Sequence, residues 1–183
     1  MKTKLCRADT LVRHSRAGVP TLHDCGERQM QTAIKVVRAG AEDAERIAPL
    51  FDAYRQFYKQ RSDLAAAKAF LSERLIRSES VIFLALSGEG EREKAVGFTQ
   101  LYPCFNSVAL KPLWILYDLY VAPQARRLGV GKALMDRAQQ FAAETKAWGL
   151  WLETAVDNIP GQKLYERQGW IRDEEFYRYQ KML

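Results

Sequence analysis

From residue 34 onward the apolar positions alternate between dense short runs and helical spacing. Ile34-Lys35-Val36-Val37 reads as a short strand, and Ile47, Leu50, Phe51, Tyr54, Phe57 and Tyr58 then recur at the spacing of an amphipathic helix. Asp63 stands where an N-cap belongs, ahead of a second helix carrying Leu64, Phe70, Leu71, Leu75 and Ile76. Residues 81–86 and 96–102 flank Ser87-Gly88-Glu89-Gly90 and predict an antiparallel hairpin; Pro103 and Pro112 then bracket an expected loop. Residues 113–121 are almost continuously apolar apart from Asp118, as befits a strand in the middle of a sheet. Residues 129–145 carry a helical stripe of Val130, Leu134, Ala138, Phe141 and Ala142. A strand at 150–154, a short helix at 159–168 and a final strand pair around Trp170 and over 176–183 complete the pattern. The expected fold is α/β (α+β): a mixed sheet of six to seven strands with helices on both faces.

The first 33 residues follow a different logic. They show no sustained apolar period, and Gly18, Pro20, Asp24 and Gly26 cluster like a turn, so 1–33 is expected to be a poorly ordered extension before a domain at 34–183. Six basic residues (Lys2, Lys4, Arg7, Arg13, Arg16, Arg28) against three acidic ones (Asp9, Asp24, Glu27) give this stretch half of the chain's net charge of +6. Cys6, His14, His23 and Cys25 fall here too, but only the last two are close in sequence, which argues against a structural zinc site; no metal is expected. With Cys104 the cysteines number three at wide spacing, which reads as free thiols in a reducing compartment.

Composition narrows the class. A chain of 183 residues, 48% hydrophobic and 27% charged, is not a disordered one. Its longest apolar run, residues 81–86, is far short of the ~18 residues of a membrane span, and no apolar block follows the basic N-terminus, so a cytoplasmic location is expected. The positive charge suits a phosphate-bearing ligand, either a nucleotide or nucleic acid. The leader lacks the dense charge and interleaved aromatics of a nucleic-acid arm, which disfavours the second.

The chemistry concentrates in Asp118-Leu119-Tyr120-Val121-Ala122-Pro123-Gln124-Ala125-Arg126-Arg127-Leu128-Gly129-Val130-Gly131-Lys132. A strand leads through a short turn into a helix with two glycines at its start. Unpaired N–H groups and the positive end of the helix dipole thus face an incoming anion. Arg126, Arg127 and Lys132 add charge for a ligand with several phosphates. A P-loop would need glycine at Arg126 and Ser or Thr at Ala133; a dinucleotide fingerprint would need Gly or Ala at Leu134. Neither fits.

The remaining pattern, Arg126-x-x-Gly129-x-Gly131 after Asp118-Leu119-x-Val121, resembles the GNAT superfamily of acetyl-CoA-dependent N-acetyltransferases. A second segment, Asn158-Ile159-Pro160-Gly161-Gln162-Lys163-Leu164-Tyr165 through Gly169-Trp170, is similar to another motif of that family, and the resemblance covers residues 34–183. Residues 50–58, the Leu101-Tyr102-Pro103 loop and the ending Phe176-Tyr177-Arg178-Tyr179 resemble the branch with polyamine, thialysine and histone-type acetyltransferases.

The resemblance implies a mostly antiparallel sheet splayed between its fourth and fifth strands. The pantetheine arm of acetyl-CoA would lie along Leu119, Tyr120 and Val121, the pyrophosphate would sit at Arg126, Arg127, Leu128, Gly129, Val130, Gly131 and Lys132, and Asn158 would contact the arm. The Leu119 N–H would stabilise the oxyanion, and Tyr165 would protonate the departing thiolate. Read without that context, Tyr165 is a core aromatic and Asn158 an N-cap. Tyr54 and Tyr58 are core residues by spacing and the candidates for reaching the acceptor.

An amine with a pKa near ~10 must shed a proton before it attacks. Related polyamine enzymes carry Glu immediately before the Asp of this strand, where this chain has Tyr117. Asp118, Glu153 or a chain of waters stand as candidate bases. The expected activity is acetyl transfer from acetyl-CoA to a small amine, polyamine, amino acid or lysine side chain by direct attack in a ternary complex. A non-catalytic acyl-CoA-binding sensor or interaction module is the alternative. A homodimer through the aromatic C-terminal strand is a further expectation.

Overall fold

The computed structural model describes residues 34–183; the expected extension at 1–33, with Cys6, His14, His23 and Cys25, lies outside the described residues. Along the described chain run β1 (Ile34–Arg38), α1 (Ala44–Phe57), α2 (Leu64–Ile76), β2 (Val81–Ser87), β3 (Lys94–Asn106), β4 (Lys111–Val121), α3 (Val130–Glu144), β5 (Leu150–Trp151) and α4 (Ile159–Arg167). The strands form one sheet in sequence order, antiparallel from β1 to β4 and parallel between β4 and β5.

The unbroken apolar run of β2 follows from being covered on both faces. Val81, Phe83 and Ala85 meet Val130, Leu134, Ala138 and Phe141 of α3, while Ile82, Leu84 and Leu86 meet Ile47, Ala48 and Phe51 of α1 and Leu71 of α2. Successive residues serve opposite layers because side chains alternate across a strand. Each fully buried Leu or Phe contributes roughly 1.5–3 kcal/mol relative to exposure. Asp63 caps α2 as its position predicts, its side chain accepting from the Ala66 N–H at 2.9 Å.

Two expectations are corrected. Pro103 and Pro112 do not bracket a loop: they pair with Trp114 and Phe105 inside the β3–β4 ladder, and the connection is only residues 107–110. β2 begins at Val81, opposite Leu101, so β3 has no neighbour on its other side at Pro103. The Pro112 carbonyl accepts from Trp148, on the side away from β3. In both places the missing N–H falls where no ladder bond is due.

The sheet also has five strands among the described residues, not six to seven. β5 ends at Trp151, short of Thr154, and residues 170–183 form no strand. Asp173 there accepts from the N–H groups of Glu175 at 2.8 Å and Phe176 at 3.2 Å, local bonds that compete with a ladder. Phe176, Tyr177 and Tyr179 are left exposed.

Candidate active site

β4 changes character at one residue. Its register with β3 steps from Gln100↔Asp118 to Leu101↔Leu116, so Tyr117 is an extra residue, a β-bulge. Leu116 consequently packs with Leu101 in the α3 layer, whereas Tyr117 and Asp118 face the α1 side, where Tyr117 meets Tyr102 edge-on at 5.4 Å. Beyond the bulge, the Ala122 N–H donates to the Val96 carbonyl at 2.9 Å. Alternation along an antiparallel ladder then turns the backbone groups of Leu119 and Val121 away from β3. On that outer side β4 pairs with β5 only at Trp114↔Leu150 and Ile115↔Trp151. The two strands part there, as expected, and the outer edge of β4 is open from Leu116 to Val121.

The open edge leads directly to the start of α3. Gly129 occupies the N-cap at φ +81°, a left-handed conformation that glycine adopts without steric cost, and no side chain caps the helix. The first intrahelical bond runs from the Ala133 N–H to the Gly129 carbonyl, so the earlier N–H groups point outward unpaired by the helix. Arg126 Nε donates to the Val121 carbonyl at 3.1 Å, which folds the turn back on β4. Arg127 takes a left-handed conformation at φ +63°. Lys132 is held by Asp136 at 2.7 Å; no carboxylate pairs with Arg126 or Arg127 among the described residues. Gly131 has a packing reason of its own: a Cβ there would lie 3.1 Å from Leu164 of α4.

Tyr165 stands on α4 across the cleft. Burial pushes its hydroxyl above the usual phenol range, and a hydrogen bond with Thr154 pulls the other way. It therefore holds its proton at neutral pH and is a donor to a developing thiolate. Thr154 also accepts from Asn158 Nδ2 at 2.9 Å, and Asn158 Oδ1 caps the Gly161 N–H at 3.3 Å. Asn158 is thus the N-cap that its position allowed, on the wall of the cleft.

A buried polar network backs the opposite wall. Gln100, fully buried, donates to Asp118 Oδ2 at 3.0 Å, and its Oε1 accepts from Ser80 at 3.4 Å. Thr99 donates to the Asp118 carbonyl at 2.9 Å. The Tyr54 hydroxyl donates to the Tyr117 carbonyl oxygen at 3.5 Å. Burial raises the Asp118 carboxyl to about 6, against the nearby Tyr54 hydroxyl and the Gln100 hydrogen bond, which lower it. Glu153 lies past the end of β5, not on it, and pairs with Arg178.

These groups surround a cleft of about 630 Å³ that includes Leu119, Arg126, Gly131, Asn158 and Tyr165. A second compartment of about 300 Å³ shares its Tyr54, Tyr58, Tyr117 and Glu153 and adds Trp151 and Arg178. Every expected site residue lines the first cleft except two: Leu128 is exposed to solvent, and Asp118 is buried behind the wall. Gln100, Thr154 and Arg178 are site groups that sequence reasoning missed. A glutamine inside the apolar run 96–102, opposite the one carboxylate of the next strand, was the available signal for the first.

An open strand edge feeding an uncapped, glycine-rich helix start, with a protonated tyrosine opposite, suits a thioester whose carrier bears phosphates. A model of the acetyltransferase (GNAT) family matches residues 45–170. The chain belongs to this family. It is 44% identical over 146 residues to an uncharacterized N-acetyltransferase, YhfO, of Bacillus subtilis, covering 80% of this chain and 95% of the relative. A crystal structure of a probable acetyltransferase superposes with a TM-score of 0.76 at 45% identity, covering 81% of this chain and 97% of the other. An aminoglycoside N(6')-acetyltransferase type 1 of Stenotrophomonas maltophilia is 26% identical over 107 residues, 57% of this chain and 68% of the relative. The GNAT chain described here is accordingly an N-acetyltransferase.

Proposed function

We propose that this GNAT enzyme moves the acetyl group of acetyl-CoA to a primary amine by direct attack within a ternary complex. The observation that carries the reading is the continuity of the open β4 edge with the start of α3 in one cleft that Tyr165 also lines. Acetyl-CoA is the donor substrate. The outward Leu119 C=O and Val121 N–H, with Tyr120 between them, bind its pantetheine amides as an added strand, which leaves the Leu119 N–H for the thioester. The N–H groups of residues 127–132, with Arg126 and Arg127, receive the pyrophosphate, and Asn158 borders the arm.

The acceptor enters the second compartment. Its aromatic walls, Tyr54, Tyr58, Tyr117 and Trp151, favour a cationic amine, which gives up its proton to a carboxylate on this side. The nitrogen attacks the thioester carbonyl, whose oxygen takes the Leu119 N–H, and Tyr165 protonates the thiolate as the C–S bond breaks. Small polyamines, amino acids, lysine side chains and, following the Stenotrophomonas relative, aminoglycosides compose the acceptor panel.

Free-thiol release from acetyl-CoA across that panel tests the reading. Acetyl-CoA binding without amine-dependent release would replace it with an acyl-CoA-binding module. Residues 34–183 are proposed to be the transferase domain, so a chain lacking 1–33 retains this turnover.

A further inference from the structure

The second compartment holds one charge of each sign. Glu153 lines both compartments, Arg178 lines only the second, and the two side chains are paired. Among the described residues no other carboxylate lines either compartment, and the remaining charged lining groups, Arg126, Arg127, Lys132 and Arg167, are all basic. An acceptor that brings only positive charge therefore meets a carboxylate already neutralised, and in taking it leaves Arg178 facing like charge. An acceptor that brings both signs exchanges one ion pair for two. Resting on the transferase reading above, we propose that the acceptor is a free α-amino acid, with its ammonium on Glu153 and its carboxylate on Arg178, and that Arg178 is the residue that sets this specificity.

The placement of the pair gives the acceptor a direction. Glu153 borders the cleft that Leu119 and Tyr165 also line, so an ammonium on it stands at the junction, on the side of the thioester. Arg178 lies beyond the junction, and its planar fork matches a carboxylate with two parallel bonds. Because the two protein charges are in contact, a ligand that bridges them needs its own charges close together. An α-amino acid has them on one carbon, whereas the ends of a polyamine are like-charged and far apart.

Size points the same way. The compartment, at about 300 Å³, lies at the lower end of the roughly 300–1,000 Å³ usual for ligand cavities. It takes an amino acid with its side chain against Tyr58, Tyr117 and Trp151, and a multi-ring aminoglycoside overfills it.

The pair is also easy to open. The Arg178 and Glu153 side chains are 58% and 36% exposed, so water screens their attraction and an incoming zwitterion gives up little by separating them. Of residues 171–183, Arg178 alone lines a compartment, and its neighbours Tyr177 and Tyr179 are exposed. A pair that only pinned this segment beyond the end of β5 would affect every acceptor alike, which separates it from a recognition role.

The test measures thiol release by the full chain with L-alanine, L-methionine and L-phenylalanine, each beside its amide, which keeps the amine and side chain but lacks the carboxylate. The amide's amine is the less basic, so deprotonation alone favours the amide. The wild type prefers the best-used acid over its amide by about 10–10² in kcat/KM. Arg178→Gln removes that preference by raising KM for the acid, and Arg178→Lys, which keeps the charge without the fork, restores part of it. A wild type that uses an amide or spermidine as well as the best amino acid overturns the assignment, as does an Arg178→Gln enzyme that keeps the preference or slows equally with acid and amide. If neither these probes nor spermidine, an aminoglycoside and a lysine peptide release thiol, the transferase reading fails. Calorimetry of the three amino acids in the presence of coenzyme A then decides the site: binding that Arg178→Gln abolishes upholds it, and no binding, or binding that Arg178→Gln leaves intact, overturns it.

Discussion

The two edges of β4 are made from the same residues and do opposite things. Toward β3 the strand is paired from Lys111 to Val121, with Tyr117 as its single interruption. Toward β5 it pairs at Trp114 and Ile115 and then stops. A buried backbone group needs a partner, and an unpaired edge attracts a foreign strand. Neither Lys nor Pro blocks the open stretch from Leu116 to Val121. It runs instead into a helix start with outward N–H groups, so two sets of unspent donors lie end to end. Stability resides on one edge of the strand and ligand recognition on the other. That division is what the following experiments strain.

The largest effect is expected at Tyr165, across the cleft from the open edge. Tyr165→Phe keeps the ring and its contact with Trp170 but removes the donor, and the chemical step slows by about 10²–10⁴. Acetyl-CoA affinity and Tm barely change. A tyrosine that mattered only through its hydrogen bond with Thr154 would instead lose roughly 0.5–1.5 kcal/mol of stability and keep its turnover. Single-turnover rates with melting curves on one preparation separate the two.

Proline distinguishes the edges directly, as Pro103 and Pro112 already do in this sheet. Leu119→Pro removes an N–H that points away from β3, so the variant folds, while loss of an oxyanion donor cuts kcat by about 10²–10³. Tyr120→Pro removes a ladder bond toward Phe98 and does not fold under the same conditions. Circular dichroism with thiol release reads both, and comparable turnover in Leu119→Pro and wild type would show that the open edge is not where the carbonyl sits.

Two buried carboxylates repeat the contrast. Asp52 accepts from Ser62 at 2.6 Å, the Asp63 N–H at 2.8 Å, Gln56 at 2.9 Å and Arg55 at 3.2 Å, and these bonds, Ser62 first, hold its pKa below the usual carboxylate value. It stabilises the α1–α2 connection above the unfolded carboxyl pKa, and that contribution is lost as pH falls through the lowered folded value. Asp118 runs the other way. Its folded pKa of about 6 exceeds the ordinary 3.8, so its charge costs stability above about pH 6 and the cost fades as pH falls toward 3.8. Asp118→Asn should therefore stabilise the protein at pH 8 by up to roughly 3 kcal/mol, and by little at pH 4. Denaturant midpoints at the two pH values check this; equal gains at both would mean that the Asp118 charge is not strained.

Much of this was legible in the sequence where one physical pattern governed. β2 reads as a strand buried on both faces because it is one, and the helical stripe of α3 is its core face. The glycine turn and Tyr165 were identified through motif spacing, and all but Leu128 of the cradle residues do line one cleft. What failed depended on neighbours. Pro103 and Pro112 break strands only where a partner needs their N–H, which periodicity does not reveal. The Tyr117 bulge shifts which residues face which layer, so alternation read straight through β4 misplaces Asp118 relative to Leu116. The last two strands fail locally: Asp173 takes the N–H groups of Glu175 and Phe176, which a ladder would need.

The smallest effect separates the two glycines of the cradle. Gly129 has a left-handed backbone and open space around its Cβ position, so Gly129→Ala costs about 1 kcal/mol from backbone strain and displaces nothing. Gly131 lies inside α3, where alanine gains about 1 kcal/mol of helix propensity, but its Cβ would press on Leu164 at 3.1 Å. The gain and the contact offset each other, leaving stability nearly unchanged. The strain is passed to α4, whose Leu164 adjoins Tyr165, so turnover falls while the helix start keeps its N–H groups. Gly129→Ala should lose stability and keep its kcat, and Gly131→Ala should do the reverse. Denaturant midpoints beside steady-state rates for both variants measure the contrast; a Gly131→Ala enzyme with wild-type kcat would show that α4 yields without moving Tyr165.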